Sequence, residues 1–254
     1  MTVISHRHQF VFIKTRKTAG SSLELALAKH AGPDDVITPV AEGQRKELGF
    51  PGPQNDRFLD NVRPGAVVRG LQGYADDPLA GERTWLQALR DATPSFYHQH
   101  MSARHVRQQL GAQRWARYFT FTVERNPWAL AVSRYRYRHK QGKASDSFRE
   151  FLDSGIMARK SNFKLYADGE RPMVDYIVRM EHLAEDLAEA SERIGYPENL
   201  AELIQGIHAK SGGGKVDYRA YYDDACREIV ARECAREIEL MGYTFEPSQA
   251  KPRD

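Results

Sequence analysis

The sequence predicts an α/β protein, a parallel β-sheet flanked by α-helices, on three observations. Short runs of β-branched and aromatic residues recur at 9–14, 66–68, 118–123 and 174–180, with the content of buried strands. Brief turns lead from them into segments of strong helix formers. Three or four strands that each precede a helix require crossover connections, which make the strands parallel and cover both faces of the sheet. Ligands of such sheets sit off the carboxyl ends of the strands.

At 254 residues the chain suits a single domain over 1–254, with residues 34–95 as an elaborated lid or acceptor loop. Its 41% hydrophobic and 28% charged residues are those of a soluble globular protein and exclude a disordered or fibrous one. A net charge of only +3 argues against a nucleic-acid partner, while leaving room for a local basic site facing an anionic ligand. Cys226 and Cys234, on one helix, would stand about 12 Å apart, too far to bridge, which suggests a reducing compartment. With no signal-peptide pattern or long apolar run, no membrane anchor is expected and the cytoplasm is the expected location. A homo-oligomer is left open.

Taken in order, the run at 9–14 carries Phe10, Val11, Phe12 and Ile13, and the helix that follows its turn carries Leu23, Leu25 and Leu27. Residues 34–53, rich in Pro and Gly, read as a long irregular excursion. A short strand is expected at 66–68, a helix at 84–92, and a helix from the N-cap Ser102 to a stop at Gly111. The strand at 118–123 turns through Arg125, Asn126 and Pro127 into another helix, with the proline at a first helical position. A helix start at 147–153, a strand at 174–180, helices at 181–195 and 200–209, a glycine loop at 211–215 and one long C-terminal helix complete the chain. That last helix would turn Ile229, Val230, Ile238 and Leu240 inward.

The turn after the first strand is KTRKTAGSS. Gly20 permits close approach, Ser21 and Ser22 add hydroxyls, the helix N-terminus adds partial positive charge, and Lys14, Arg16 and Lys17 add full charges. This is the chemistry of a phosphate or sulfate cradle. An ordinary capped helix with solvated basic residues would have the same local sequence. The nucleotide-triphosphate loop does not fit, because Lys17 and Thr18 precede Gly20 instead of following a glycine. More than a hundred residues further on, Arg125 and Ser133 stand eight apart across Pro127, so both can face the strand ends and grip one phosphate. His98 and His100, two apart on an extended piece, would point the same way. They offer a general base or, with no third ligand at obvious spacing, an incomplete metal site.

KTAGSS resembles the 5′-phosphosulfate loop of the sulfotransferases, and ERNPWALAVS resembles their 3′-phosphate motif R-[DN]-P-x-x-R-x-x-S, with Leu130 in place of the usual basic or polar residue. The segments around YHQHMSARHVRQQLG, VDYIVRMEHLAEDL and YRAYYDD extend the resemblance to the carbohydrate and heparan 2-O-sulfotransferase-like subgroup and its bacterial relatives. The resemblance implies a P-loop-like sulfotransferase fold and a metal-independent enzyme. Its donor would be 3′-phosphoadenosine 5′-phosphosulfate (PAPS), its product the 3′,5′-bisphosphate (PAP), and its acceptor a carbohydrate or small-molecule hydroxyl. Lys14, Arg16, Lys17, Thr18, Ala19, Gly20, Ser21, Ser22, Leu23, Arg125, Ser133 and Lys215 would bind the donor. Lys17 would stabilise the departing phosphate, and His100, ahead of His98, would be the base. Two other classes remain: a kinase-like phosphotransferase using Glu124 and Glu181 for Mg²⁺, and a nucleotide-binding module without catalysis.

Overall fold

In a computed structural model of the chain, residues 2–39, 42–56, 97–142, 147–208 and 216–246 are described. The core is a five-stranded mixed sheet flanked by helices. Strands β1 (Thr2–Ser5) and β2 (Phe10–Ile13) form an antiparallel hairpin, α1 (Gly20–Ala28) follows, and β3 (Val36–Ile37) pairs antiparallel with β1. Beyond α2 (Glu42–Leu48), α3 (Ala103–Leu110) and α4 (Ala112–Arg117) comes β4 (Phe119–Glu124), which enters the sheet parallel to β2. Helices α5 (Pro127–Lys140), α6 (Phe148–Asp153), α7 (Ile156–Arg159) and α8 (Phe163–Tyr166) lead to a small hairpin, β5 (Ala167–Asp168) and β6 (Arg171–Pro172). Then β7 (Tyr176–Arg179) pairs parallel with β4, followed by α9 (Leu183–Arg193), α10 (Leu200–His208), α11 (Asp224–Glu233) and α12 (Ala235–Met241). The strand order is β3-β1-β2-β4-β7.

The sheet is therefore mixed rather than wholly parallel, because the hairpin at its head supplies two antiparallel pairings. Its turn contains no glycine; Gln9 takes the left-handed conformation, φ 51°. The central strands are buried on both faces, as parallel strands must be. Phe10 and Phe12 face a core shared with Leu23, Leu27, Leu187 and Ile204, whereas Val11 and Ile13 face Val106, Phe163 and Tyr166. A third core joins α5 to α6, α7 and α11 through Trp128, Leu130, Leu152, Met157 and Val230.

Caps read from the sequence are in place. The Ser102 hydroxyl accepts from the His105 N–H, Pro127 sits at the start of α5, and Ser147 forms a reciprocal cap with Glu150. Three expectations change. The 34–53 excursion contains β3 and α2, and the 181–195 helix begins with a 3₁₀ turn, Met180–His182. The C-terminal helix is not continuous. Tyr218–Tyr221 is a 3₁₀ turn, Asp223 caps α11 by accepting from the Cys226 N–H at 2.7 Å, and Cys234 breaks the helix at φ −116°, ψ 25°. The break turns Glu237 inward, where its carboxylate accepts from the Ser161 hydroxyl at 2.6 Å, and leaves Leu240 exposed. The expected strand at 66–68, the helix at 84–92 and the 211–215 loop lie outside the described residues. No helix among the described residues is long and apolar enough to cross a membrane.

Asp35 ties the head of the sheet together. Its buried carboxylate accepts from the Ser5 hydroxyl at 2.8 Å and from the N–H groups of His6, Arg7 and Gly32 at 2.6, 3.1 and 2.9 Å. Asp35→Ala strands these donors and should cost about 2–4 kcal/mol. Asp34→Ala, at an exposed neighbour, should stay within about 0.5 kcal/mol. Urea denaturation of the two variants checks the difference, and equal midpoints would contradict it.

Candidate active site

The site lies where α/β chemistry places it, off the carboxyl ends of β2 and β4. After Ile13 the chain turns through residues 14–19 into α1, with Lys17 and Ala19 in the left-handed region at φ 63° and 55°. The turn is pinned to β4: the Thr15 hydroxyl donates to the Val123 carbonyl, and the Arg125 guanidinium donates to the Lys17 carbonyl at 3.3 Å. Thr18 is buried, with its hydroxyl 2.8 Å from that of Thr15, so it supports the turn from inside. The N–H groups of Ser22 and Leu23 bond to the Ala19 carbonyl. Those of Thr18, Ala19, Gly20 and Ser21 meet no acceptor among the described residues, and α1 has no side-chain cap. Such a helix N-terminus presents free donors to an anion.

A cavity of 590 Å³ opens over this turn, lined by Lys14, Arg16, Lys17, Thr18, Ala19, Gly20, Ser21, Ser22 and His100, with Arg134, Tyr137 and Arg138 of α5 and Lys160 behind α7. Among the described residues no Asp or Glu lines it. Lys14 and Lys17 differ. Lys14 is buried and its ammonium sits 2.7 Å from the Glu24 carboxylate, so it acts inside the fold as half of an ion pair. Burial pushes the Glu24 carboxyl above its usual range, an effect that the Lys14 charge only partly opposes. The Lys17 ammonium lies 4.1 Å from the centre of the Tyr137 ring. Burial, then the Arg125 charge, lowers its pKa below the ordinary 10.5. Gly20 owes its place to Lys14: a Cβ there would lie 2.9 Å from Lys14 Cγ.

Of the sequence-predicted residues, Leu23, Arg125, Ser133 and His98 do not line the cavity, and Lys215 lies outside the described residues. Leu23 is core. Arg125 stands behind the turn, its charge near Glu181 and Tyr243 and its pKa lowered chiefly by burial. Ser133 is half-buried on α5, one turn before Tyr137. Leu130 packs in the helical core. Arg134, Tyr137, Arg138 and Lys160 line the cavity instead; the first three lie in the Arg-Tyr alternation of 134–138, a local signal, and only tertiary structure brings Lys160. Phe50 lines a separate pocket of 430 Å³ with Leu48 and Ile207, and Tyr97 is buried in the core. Phe96 lies outside the described residues.

The histidines do not point the same way. His100 sits in the left-handed region, φ 57°, which breaks the alternation that an extended segment would give. His98 is exposed. His100 is half-buried, with Nδ1 3.2 Å from the Lys14 carbonyl. A carbonyl only accepts, so Nδ1 carries the proton and Nε2 is the bare nitrogen. Burial pushes the His100 pKa down to about 4, outweighing the bond to Lys14. Three of the five non-glycine residues with positive φ among those described, Lys17, Ala19 and His100, line this one cavity. Among the described residues no group of three or more His, Cys, Asp or Glu is placed to hold a metal.

The chain is 40% identical over 104 residues to an uncharacterized protein of Archaeoglobus fulgidus, a match covering 39% of this chain and 87% of that protein. The two chains belong to one family. No protein-family model matches the chain, so the chemistry of that family has to be read from the cavity.

Neighbouring positions in the turn should respond with opposite signs. Ala19→Gly removes the left-handed penalty and should raise stability by about 0.5–1 kcal/mol. Gly20→Ala forces Lys14 off Glu24 and should lower it by about 1–3 kcal/mol. Chemical denaturation of both variants tests this, and a neutral Gly20→Ala would contradict the packing argument.

Proposed function

We propose that the protein is a PAPS-dependent sulfotransferase with the P-loop-like architecture of that family, acting on a hydroxyl of a carbohydrate or small alcohol and releasing PAP. One observation carries the reading: His100, whose Nδ1 is held by the Lys14 carbonyl and whose Nε2 is bare, lines the same cavity as Lys17 and the N–H groups of 18–21, which meet no acceptor among the described residues. The cavity volume falls within the range of about 300–1,000 Å³ usual for small-molecule sites, and its lining, cationic and without carboxylates among the described residues, suits a polyanionic nucleotide. Bound there, the donor supplies a sulfur atom joined to a phosphate leaving group. The chain's residues supply the rest. His100 takes the acceptor proton on Nε2, and Lys17 and the N–H groups of 18–21 stabilise charge gathering on the departing phosphate. Arg125 stands behind the turn with its guanidinium on the Lys17 carbonyl, so the cations that do line the cavity on the α5 side, Arg134 and Arg138, with Lys160, would meet a 3′-phosphate and discriminate this donor from ATP.

The kinase-like alternative needs Mg²⁺ carboxylates at the cavity, and neither Glu124 nor Glu181 lines it. Glu124 is fully buried and accepts from the Arg125 N–H, Asn162 and Tyr166, while Glu181 accepts from the Asn126 N–H and the Tyr243 hydroxyl. A binding module without catalysis would leave the left-handed His100 unexplained, since such strain costs on the order of 1–3 kcal/mol and concentrates at working residues.

PAP should raise the melting temperature well above the effect of AMP, with no further change on adding Mg²⁺. Equal shifts by PAP and AMP would remove the 3′-phosphate assignment. His100→Ala should lower the rate by about 10² to 10⁴ and leave PAP binding intact. Because the neutral imidazole is the active form, kcat/KM should rise with pH through the free-enzyme pKa near 4. The corresponding limb of kcat should lie higher, since the bound donor's negative charge favours the imidazolium. A kcat/KM limb at the ordinary value of about 6.5 would show that the burial of His100 is not what sets its basicity.

A further inference from the structure

Asn162 lies between α7 and α8 with its side chain fully buried, and it does not line the cavity. Its carboxamide carries two donor hydrogens and two acceptor lone pairs, and all four are matched. Nδ2 donates to the Arg16 carbonyl at 3.1 Å and to Glu124 Oε1 at 3.3 Å. Oδ1 accepts from the Arg16 N–H at 3.0 Å and from Arg134 Nη2 at 3.1 Å. Flipping the amide would set oxygen against a carbonyl and a carboxylate, and hydrogens against an N–H and a guanidinium. The four partners therefore admit one orientation.

Two of these bonds hold both backbone groups of Arg16, as a neighbouring strand would. The other two fasten the amide to the end of β4 and to α5. Arg16 immediately precedes Lys17 and stands three residues before Ala19, and the left-handed backbone of these two would relax if the turn were free. We propose that Asn162 is the positioning residue of the anion cradle: it clamps the Arg16 backbone, and through it the Lys17 turn, against the strand end that carries Arg125. It touches no ligand and acts through Arg16. The clamp itself follows from the hydrogen bonds; only its effect on PAP affinity rests on the sulfotransferase reading.

The test uses the full chain with Asn162→Ala, Asn162→Asp and, as a control, Val230→Ala, which loosens the core under α11 at a residue that neither lines the cavity nor bonds to the turn. Amide hydrogen exchange at residues 15–19 and PAP affinity by calorimetry are read at a temperature where each variant is folded. Asn162→Ala should speed exchange at Arg16 and weaken PAP binding, each by about tenfold or more, while Val230→Ala changes neither. Asn162→Asp keeps both acceptors and loses both donors. It should show the same defects at neutral pH and recover in part as the pH falls, when the protonated carboxyl regains one donor, and the recovery keeps the proposal testable if the alanine variant does not fold. Exchange in Asn162→Ala equal to that in Val230→Ala would overturn the clamp, and faster exchange with unchanged PAP affinity would overturn its positioning role. If the unsubstituted protein binds no PAP, the donor reading falls and the exchange data alone decide on the clamp.

Discussion

The parallel pairing of Phe10–Ile13 with Phe119–Glu124 is the constraint on which the cavity depends. It sets two strand ends side by side, so that the turn after one and the Arg125 turn after the other must meet. The bonds across the seam maintain the match: Thr122 to the Ile13 carbonyl at 2.7 Å, Thr15 to the Val123 carbonyl, and Arg125 to the Lys17 carbonyl. Because each strand is buried on both faces, a slip of one residue would exchange the two cores, which fixes the register and with it the site.

Charge at the turn is divided by burial. Lys14 and Glu24 neutralise each other in the interior, an arrangement whose desolvation cost leaves little net stability but would leave a buried charge unpaired if either were lost. Lys17, rested on the Tyr137 ring, is therefore the ammonium at the turn that remains for a ligand. Burial lowers its pKa, which an anion beside it would reverse. The same logic applies to His100, kept neutral by burial and fixed in tautomer by the Lys14 carbonyl. The cavity is thus prepared to gain negative charge, and its bare base is neutral before a ligand arrives.

Much of this was legible because it is local. Strand, basic turn and helix follow one another within residues 9–28, and the caps at Ser102, Pro127 and Ser147 carry their signals in a few adjacent residues. What escaped depends on partners far away in sequence. The first strand is four residues long and its turn lacks glycine, so nothing marks it before β2 is seen beside it. The break at Cys234 occurs among helix formers, drawn by the bond from Ser161 to Glu237. The histidine spacing misled because a single left-handed residue, His100, removes the alternation on which the inference relied. Glycine misled differently: Gly20 was read for backbone approach, whereas the structure uses its missing Cβ to admit the Lys14 stem, and Ala19 takes the strained conformation.

The most direct test of the account is a single-turnover assay of the purified protein with sulfur-labelled PAPS and a panel of sugars, phenols and aliphatic alcohols, with the Lys17→Ala variant run in parallel. The account predicts label transferred to at least one hydroxyl acceptor with stoichiometric PAP, and a transfer step slowed in Lys17→Ala at saturating donor, because Lys17 meets charge that develops only as the bond to sulfur breaks. Tight PAP binding with no transfer to any acceptor class, or a Lys17→Ala variant that transfers at the original rate, would contradict it.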